Sequence, residues 1–258
     1  MRRTYLAILF FVIFIIGARE LLFYKLSYIH HPEAIEQTSD DSSFDIKEFL
    51  SKPMHFIGMG SQCIVFAPKN SPYVLKMCKA TRYQNLFSPS KTKIERLKKD
   101  CQNYITSFKD LKSQTAIVYL HLNKSSFLKK EITLIDPFHI PYSINADEVL
   151  FYVQKKATPF TVYLKTASQK QRDSLFFHLM QSIVDAATKG VRIKDIQPQK
   201  NIGIVDALPV WIDPGRMEKK EFSTKEIELL LLSMRSRLAP FLSVEELQNL
   251  STDPASYH

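Results

Sequence analysis

The alternation of apolar and polar positions divides the chain into four stretches. Tyr5–Ala18 is an unbroken apolar run, interrupted by Arg19 and Glu20 and resumed over Leu21–Tyr24. Residues 26 to about 50 are polar, with Pro32, Glu33, Gln37, Ser39, Asp40, Asp41, Ser42 and Ser43. From Met54 the pattern shortens to β-type runs: His55–Ile57, Cys63–Phe66 and Tyr73–Cys78, with a Pro68–Pro72 turn before the third. These predict three strands joined by tight turns. Ser88-Pro89 has the form of an N-cap followed by proline at the first helical position, which predicts a helix to about Phe108. Ile132–Ile135 and Val149–Gln154 read as two further strands.

The remainder is mainly helical. Ser168 with Gln171 forms a capping-box pattern that opens a helix to about Thr188, and Gly190 stops it. Short β-runs follow at Asn201–Val205 and Pro209–Ile212. Ser223 with Glu226 and Ser243 with Glu246 repeat the capping pattern ahead of two last helices. The expected organisation is an anchor or signal segment over 1–25, a polar stalk over 26–50, a β-rich lobe over 51–156 and a short helical lobe over 157–258. There are no internal repeats.

The first run is shorter than the ~20 residues a helix needs to cross a bilayer. It fits a short membrane anchor with snorkelling ends, or the apolar region of a signal peptide. Ile16-Gly17-Ala18 is a mediocre cleavage site, which favours an uncleaved single-pass anchor. Arg2 and Arg3 send the following chain out of the cytoplasm by the positive-inside bias, while Arg19 and Lys25 on the other flank weaken that assignment. The side of the membrane stays open.

Composition narrows the class. The 258 residues are 45% hydrophobic and 24% charged, which excludes wholesale disorder, collagen and a multi-pass membrane protein. Cys63, Cys78 and Cys101 are too few for a disulfide framework and lack zinc-ligand spacing, so they read as buried thiols. The net charge of +9 is partly the anchor's and otherwise diffuse. The densest stretch, Lys91–Lys99, has helical spacing with Ile94 and Leu97 on one face, which describes a solvated helix face. No nucleic-acid partner is expected.

With only 6 glycines in the chain, Gly58 and Gly60 draw attention. Glycines in a hairpin let the backbone approach phosphates closely. The pair does not precede a helix, so a dinucleotide-binding βαβ unit is excluded, and no G-K-[ST] follows for a P-loop. Lys76 lies in an apolar strand, where a buried ammonium needs a partner. Glu95 on the following helix can supply one. Alternatively, Lys76 can snorkel from an edge strand, and Glu95, which lies among Lys91, Lys93, Arg96 and Lys98, can form an ordinary i,i+3 or i,i+4 pair on its own helix. Asp195 and the Asp213-Pro214-Gly215 stretch can also serve as plain turn residues.

Taken in order, these residues resemble the protein-kinase fold. Gly58, Gly60 and Val65 match three of four fixed positions of the G-x-G-x-x-G-x-V loop, and Tyr73-Val74-Leu75-Lys76 matches V-A-I-K. Glu95 matches the helix glutamate. Gly190–Ile202 looks like the catalytic loop around H-R-D, and Val210–Gly215 looks like the strand ending in D-F-G. The resemblance implies an α+β, bilobed, kinase-like fold with a small antiparallel β-sheet lobe and a truncated helical lobe. It implies ATP and Mg2+ as cofactors. Asp195 would be the base, Asn201 and Asp213 the metal ligands, and Lys76, with Glu95, Gly58, Gly60 and Val65, the nucleotide-binding set. The sequence departs from the pattern at Cys63, Ile193, Lys194, Gln197 and Pro214, and it lacks A-P-E. Two functions are therefore expected: phosphoryl transfer to a protein or small-molecule acceptor, or a membrane-anchored pseudokinase that binds without turnover.

Overall fold

A computed structural model describes residues 44–79 and 91–257. The apolar run Tyr5–Ala18, most of the expected stalk and the Ser88-Pro89 helix start lie outside the described residues. No described helix is long and apolar enough to cross a membrane. The chain is mixed α+β and forms two compact units. One runs to Lys98 and includes Tyr119–Val153; the other comprises Lys99–Val118 and everything from Gln154 onward.

The first unit opens with α1 (Ile46–Leu50), inside the segment expected to be stalk. Asp45 caps it by accepting from the Lys47 and Glu48 amides. Phe49 and Leu50 are buried, and Phe44, Phe49 and Tyr73 pack ring on ring. Two adjacent apolar residues at the end of a polar stretch are enough to pull this turn into the fold.

Strands β1 (Met54–Met59), β2 (Cys63–Ala67) and β3 (Tyr73–Cys78) form the antiparallel meander that the sequence predicts. Cys63 and Cys78 are Cα partners across β2 and β3, and both thiols are buried and reduced. The sheet is larger than expected. Helix α2 (Lys91–Asp110) and the single turn α3 (Lys112–Thr115) lead to β4 (Ile117–His121), β5 (Glu131–Ile135), β6 (Pro141–Asn145) and β7 (Phe151–Lys155). The order is β4-β7-β3-β2-β1-β5-β6. It is not wholly antiparallel, because Met54 and His55 pair in parallel with Leu134 and Ile135. Two strands escape the sequence reading for opposite reasons. Every residue of β4 is buried, so it has no alternation. In contrast, β6 is an edge strand without a single fully buried residue.

The second unit gathers around α5 (Gln169–Thr188), which is preceded by β8 (Thr158–Pro159) and α4 (Phe160–Leu164). Ser168 caps α5 in a full capping box, and Gly190, at φ 65, turns the chain beyond it. Then come β9 (Val191–Ile193), the short turn α6 (Pro198–Asn201), the hairpin β10 (Ile202–Val205) and β11 (Leu208–Trp211), and β12 (Met217–Lys219). Helices α7 (Thr224–Leu238) and α8 (Val244–Asn249) close the unit, both with the predicted capping boxes. Phe160, Phe176, Leu179, Met180, Trp211, Leu231 and Met234 form its core. Each such side chain contributes roughly 1.5–3 kcal/mol by leaving water. Arg172 of α5 ties α8 down through the Glu246 carboxylate at 2.7 Å and the Phe241 carbonyl at 2.7 Å.

The lobe boundary read from sequence, at 156/157, leaves the whole of α2 in the first lobe. By its contacts, the part from Lys99 belongs with the second unit.

Candidate functional site

In the second unit, β9 and the β10–β11 hairpin place Asp195, Asn201 and Asp213 together. Pro198 starts α6 without needing an amide, and this single turn brings Asn201 back to the chain before it. The Asn201 Nδ2 donates to the Asp195 carbonyl at 2.9 Å. The Asn201 carbonyl accepts from the Ile212 amide at 2.8 Å, one residue before Asp213. Residues from two sequence motifs are thus joined through Asn201. Asp195 is half-buried, and among the described residues its carboxylate accepts no hydrogen bond. A half-buried carboxylate of that kind is open to a ligand hydroxyl.

The turn after Asp213 is held from α2. The Asn103 Nδ2 donates to the Gly215 carbonyl at 2.9 Å, and the Ser107 Oγ to the Pro214 carbonyl at 2.9 Å. Both donors and both acceptor residues are buried. Gln154 adds a third buried clamp, donating to the carbonyls of Thr115 at 2.5 Å and Trp211 at 3.1 Å. Sequence reading missed Asn103, Ser107 and Gln154. Their signal was the presence of small polar residues and an amide at positions whose neighbours in the periodicity are apolar.

β12 pairs with β9 through Met217 and Ile193, and the Lys194 amide donates to the Arg216 carbonyl at 3.0 Å. Lys194 stands where the family pattern has arginine, and its Nζ meets the Glu218 carboxylate at 2.5 Å. Lys99 approaches the same carboxylate at 3.6 Å. The Lys194 ammonium holds Glu218 below the ordinary carboxylate range against the opposing effect of burial, and Lys99 adds to it.

In the first unit, Gly58, Val65 and Lys76 occupy one row of the sheet. Val65 is the Cα partner of Gly58 on one side and of Lys76 on the other. Neighbouring strands lie ~4.8 Å apart, so Gly58 and Lys76 sit ~10 Å apart across Val65. A β-bulge breaks the register between Phe56 and Gly58. The Gly60 amide donates to the Cys63 carbonyl at 2.9 Å and closes the tip. A side chain at Gly58 would meet no described atom within 4 Å, and at Gly60 only the Cys63 carbonyl at 3.9 Å. Neither glycine has a positive φ. The fold itself does not require glycine at either position, and the two leave a bare strip of backbone. Lys76 is buried at 9% exposure, with its Nζ 5.8 Å from the centre of the Tyr152 ring.

Glu95 does not join this group. It is exposed on α2 and forms no ion pair with Lys76. The buried stripe of α2 runs through Leu97, Asp100, Cys101, Tyr104 and Phe108. At ~100° per residue, Glu95 lies roughly 160° around the helix from Leu97. The expected Lys76–Glu95 pair is therefore absent, because Glu95 is on the wrong face.

The donor set in the second unit suits a hard cation. The Asn201 nitrogen is committed to the Asp195 carbonyl, which leaves its Oδ1 as an acceptor. Asp213 adds carboxylate oxygens. An amide oxygen and one carboxylate are a common protein share of a magnesium site whose other ligands are phosphates and water. Among the described residues, no group of three or more His, Cys, Asp and Glu side chains is placed to hold a metal without such help.

No known protein family matches the chain, and neither does any curated protein. Among solved structures, similarity extends to a medium-resolution structure of the bifunctional kinase–methyltransferase WbdD. That match has 14% identity and a TM-score of 0.41, covering 68% of this chain and 34% of that one. A co-crystal structure of WbdD with the kinase inhibitor LY294002 matches at 14% identity and a TM-score of 0.43, covering 78% of this chain and 44% of that one. The chain thus spans less than half the length of these proteins.

Proposed function

We propose that the protein is a kinase-like phosphotransferase that uses ATP and magnesium and acts on a hydroxyl acceptor. The observation that supports this reading is the joining of Asp195, Asn201 and the segment of Asp213 through two hydrogen bonds of one residue, Asn201. On this reading Asp195 orients the acceptor hydroxyl and takes its proton. Asn201 and Asp213 hold magnesium, which when bound supplies charge neutralisation to the phosphates. In the first unit, the bare backbone at Gly58 and Gly60 binds phosphate oxygens, and Lys76 adds a cation in the same strand row. The run Tyr5–Ala18 anchors the protein to a membrane.

The test is a thermal-shift titration with ATP and magnesium, alongside a measurement of ATP turnover. ATP with magnesium should raise the melting temperature. Asp213→Asn should abolish that rise. Asp195→Ala should keep it while stopping turnover. Absence of any shift in the wild-type protein would sink the reading.

A second reading, a nucleotide-binding pseudokinase, draws on one observation. Glu95, which the kinase pattern would pair with Lys76, is exposed on the opposite side of α2 from its buried stripe. A wild-type protein stabilised by ATP and magnesium but with no turnover on any hydroxyl acceptor, its own side chains included, would favour it.

A further inference from the structure

Arg216 follows the Asp213-Pro214-Gly215 turn directly and was not part of the sequence-derived set. Its Nε is buried and has no hydrogen-bond partner. Among the described residues, its guanidinium makes no hydrogen bond or ion pair at all. The neighbouring carboxylates do not serve it. Glu218 is already held by Lys194 and Lys99, and Asp195 is not within ion-pair distance. A guanidinium carries five donors and cannot shed its charge; here the residue is half-buried and its Nε–H is shut off from water with no acceptor, which is costly for that donor. An oxyanion would serve it, since its planar fork suits phosphate and carboxylate.

The position of Arg216 is also informative. Its carbonyl is bound by the amide of Lys194, the residue just before Asp195. It lies three positions after Asp213 along the chain. Hence a carboxylate and a guanidinium that, among the described residues, have no hydrogen-bond donor and no acceptor respectively flank the same backbone contact. We propose that Arg216 binds an oxyanion on the acceptor substrate, whose hydroxyl group meets Asp195. The acceptor class is then an anionic hydroxyl compound, such as a phosphorylated or carboxylated sugar or alcohol. This assignment rests on the phosphotransferase reading for the role of the site, but the anion site itself is separately testable.

The probe is inorganic phosphate, titrated into the full chain and followed by melting temperature. Phosphate should stabilise the wild-type protein. Arg216→Met should raise the phosphate concentration needed by roughly tenfold or more, the loss expected for a charge-assisted hydrogen bond. Without phosphate, Arg216→Met should melt at or above the wild-type temperature, because it removes a buried Nε–H donor that has no acceptor among the described residues. Lys165→Met, an exposed cation elsewhere, should titrate like the wild type. The proposal is overturned if Arg216→Met responds to phosphate as the wild type does, or if Lys165→Met loses the response equally. Repeating the titration with a saturating non-hydrolysable ATP analogue and magnesium separates the two sources of oxyanion. A retained phosphate response supports the acceptor site, and an abolished one assigns Arg216 to the nucleotide and overturns the acceptor assignment. A phosphate response in a protein that never binds ATP would sink the phosphotransferase reading and leave the anion site standing.

Discussion

The side-chain amide of Asn201 donates to the backbone carbonyl of Asp195 at 2.9 Å, across a loop that contains only one turn of helix. The bond does two things at once. It fixes the loop that carries Asp195, and it settles which end of the amide remains available as an acceptor. Asn201→Ala should remove both. A partly buried hydrogen bond of this kind contributes about 1 kcal/mol, so the melting temperature should fall slightly. Stabilisation by ATP and magnesium should disappear altogether. Asn201→Asp restores an oxygen ligand but places a carboxylate against a carbonyl, and it should recover only part of the response.

Two glycines give opposite forecasts. Gly58→Ala meets no described atom and should change stability by less than about 0.5 kcal/mol, while raising the ATP concentration needed for stabilisation. At Gly203 a methyl group would lie 2.5 Å from the Ala157 Cβ and 3.3 Å from the Thr158 carbonyl. Gly203→Ala should therefore cost roughly 1–3 kcal/mol by overpacking, with no particular effect on ATP. Chemical denaturation and ATP titration of the two variants, side by side, check the contrast.

Lys76 and Glu95 should separate cleanly in mutagenesis. Lys76→Met keeps the length of a buried side chain and should leave the fold intact while weakening the ATP response roughly tenfold, as loss of a charge-assisted contact predicts. Glu95→Ala, on the exposed face of α2, should change neither stability nor ATP response. An ATP response lost in Glu95→Ala would show that the residue pairs with Lys76 after all.

Asn103→Ala would leave the buried Gly215 carbonyl without its donor. The expected cost is about 1–3 kcal/mol in denaturant-induced unfolding. Because the same bond holds the turn after Asp213, the magnesium dependence of the ATP response should weaken as well. Stability loss with an unchanged magnesium dependence would make Asn103 purely structural.

The Arg172–Glu246 pair should set part of the acid stability. Hydrogen bonding from Arg172 draws the Glu246 carboxyl down to about 2, against the opposing push of burial, with the Ser243 amide and Gln169 assisting. A carboxyl whose folded value lies below its unfolded one stabilises the fold fully above the unfolded value, near 4.3. That contribution is lost as pH falls from about 5 towards about 2. It is on the order of 2 kcal/mol after allowance for screening. Unfolding followed between pH 7 and 2 should show this loss in the wild type and a flatter profile in Glu246→Gln.

Much of the second unit was legible because its signals are local. Ser168, Ser223 and Ser243 each cap a helix with the Gln or Glu three residues on, and the structure forms all three boxes. The β1–β3 meander was equally legible from its turns. Strand β4 was not, since burial on both faces erases alternation, and neither was β6, which is an edge strand with little burial. Of the candidate residues, Asp195, Asn201 and Asp213 are joined as a group, and Gly58, Val65 and Lys76 share a row. Glu95 was chosen by its distance along the chain from Lys76. That distance says nothing about which side of a helix a residue faces.

The sequence by itself determined the caps, the hairpin turns, the apolar first segment and the identities of the chemically capable side chains. These follow from contacts within a few residues, where propensity and hydrogen-bond chemistry are enough. The tertiary structure alone decided that α2 presents Asp100, Asn103 and Ser107 inward and Glu95 outward, and that Val65 stands between Gly58 and Lys76. It also decided that the buried Nε of Arg216 has no acceptor among the described residues. Each of these depends on which groups meet across long stretches of chain, where burial removes water as an alternative partner and makes every unmatched donor or acceptor count.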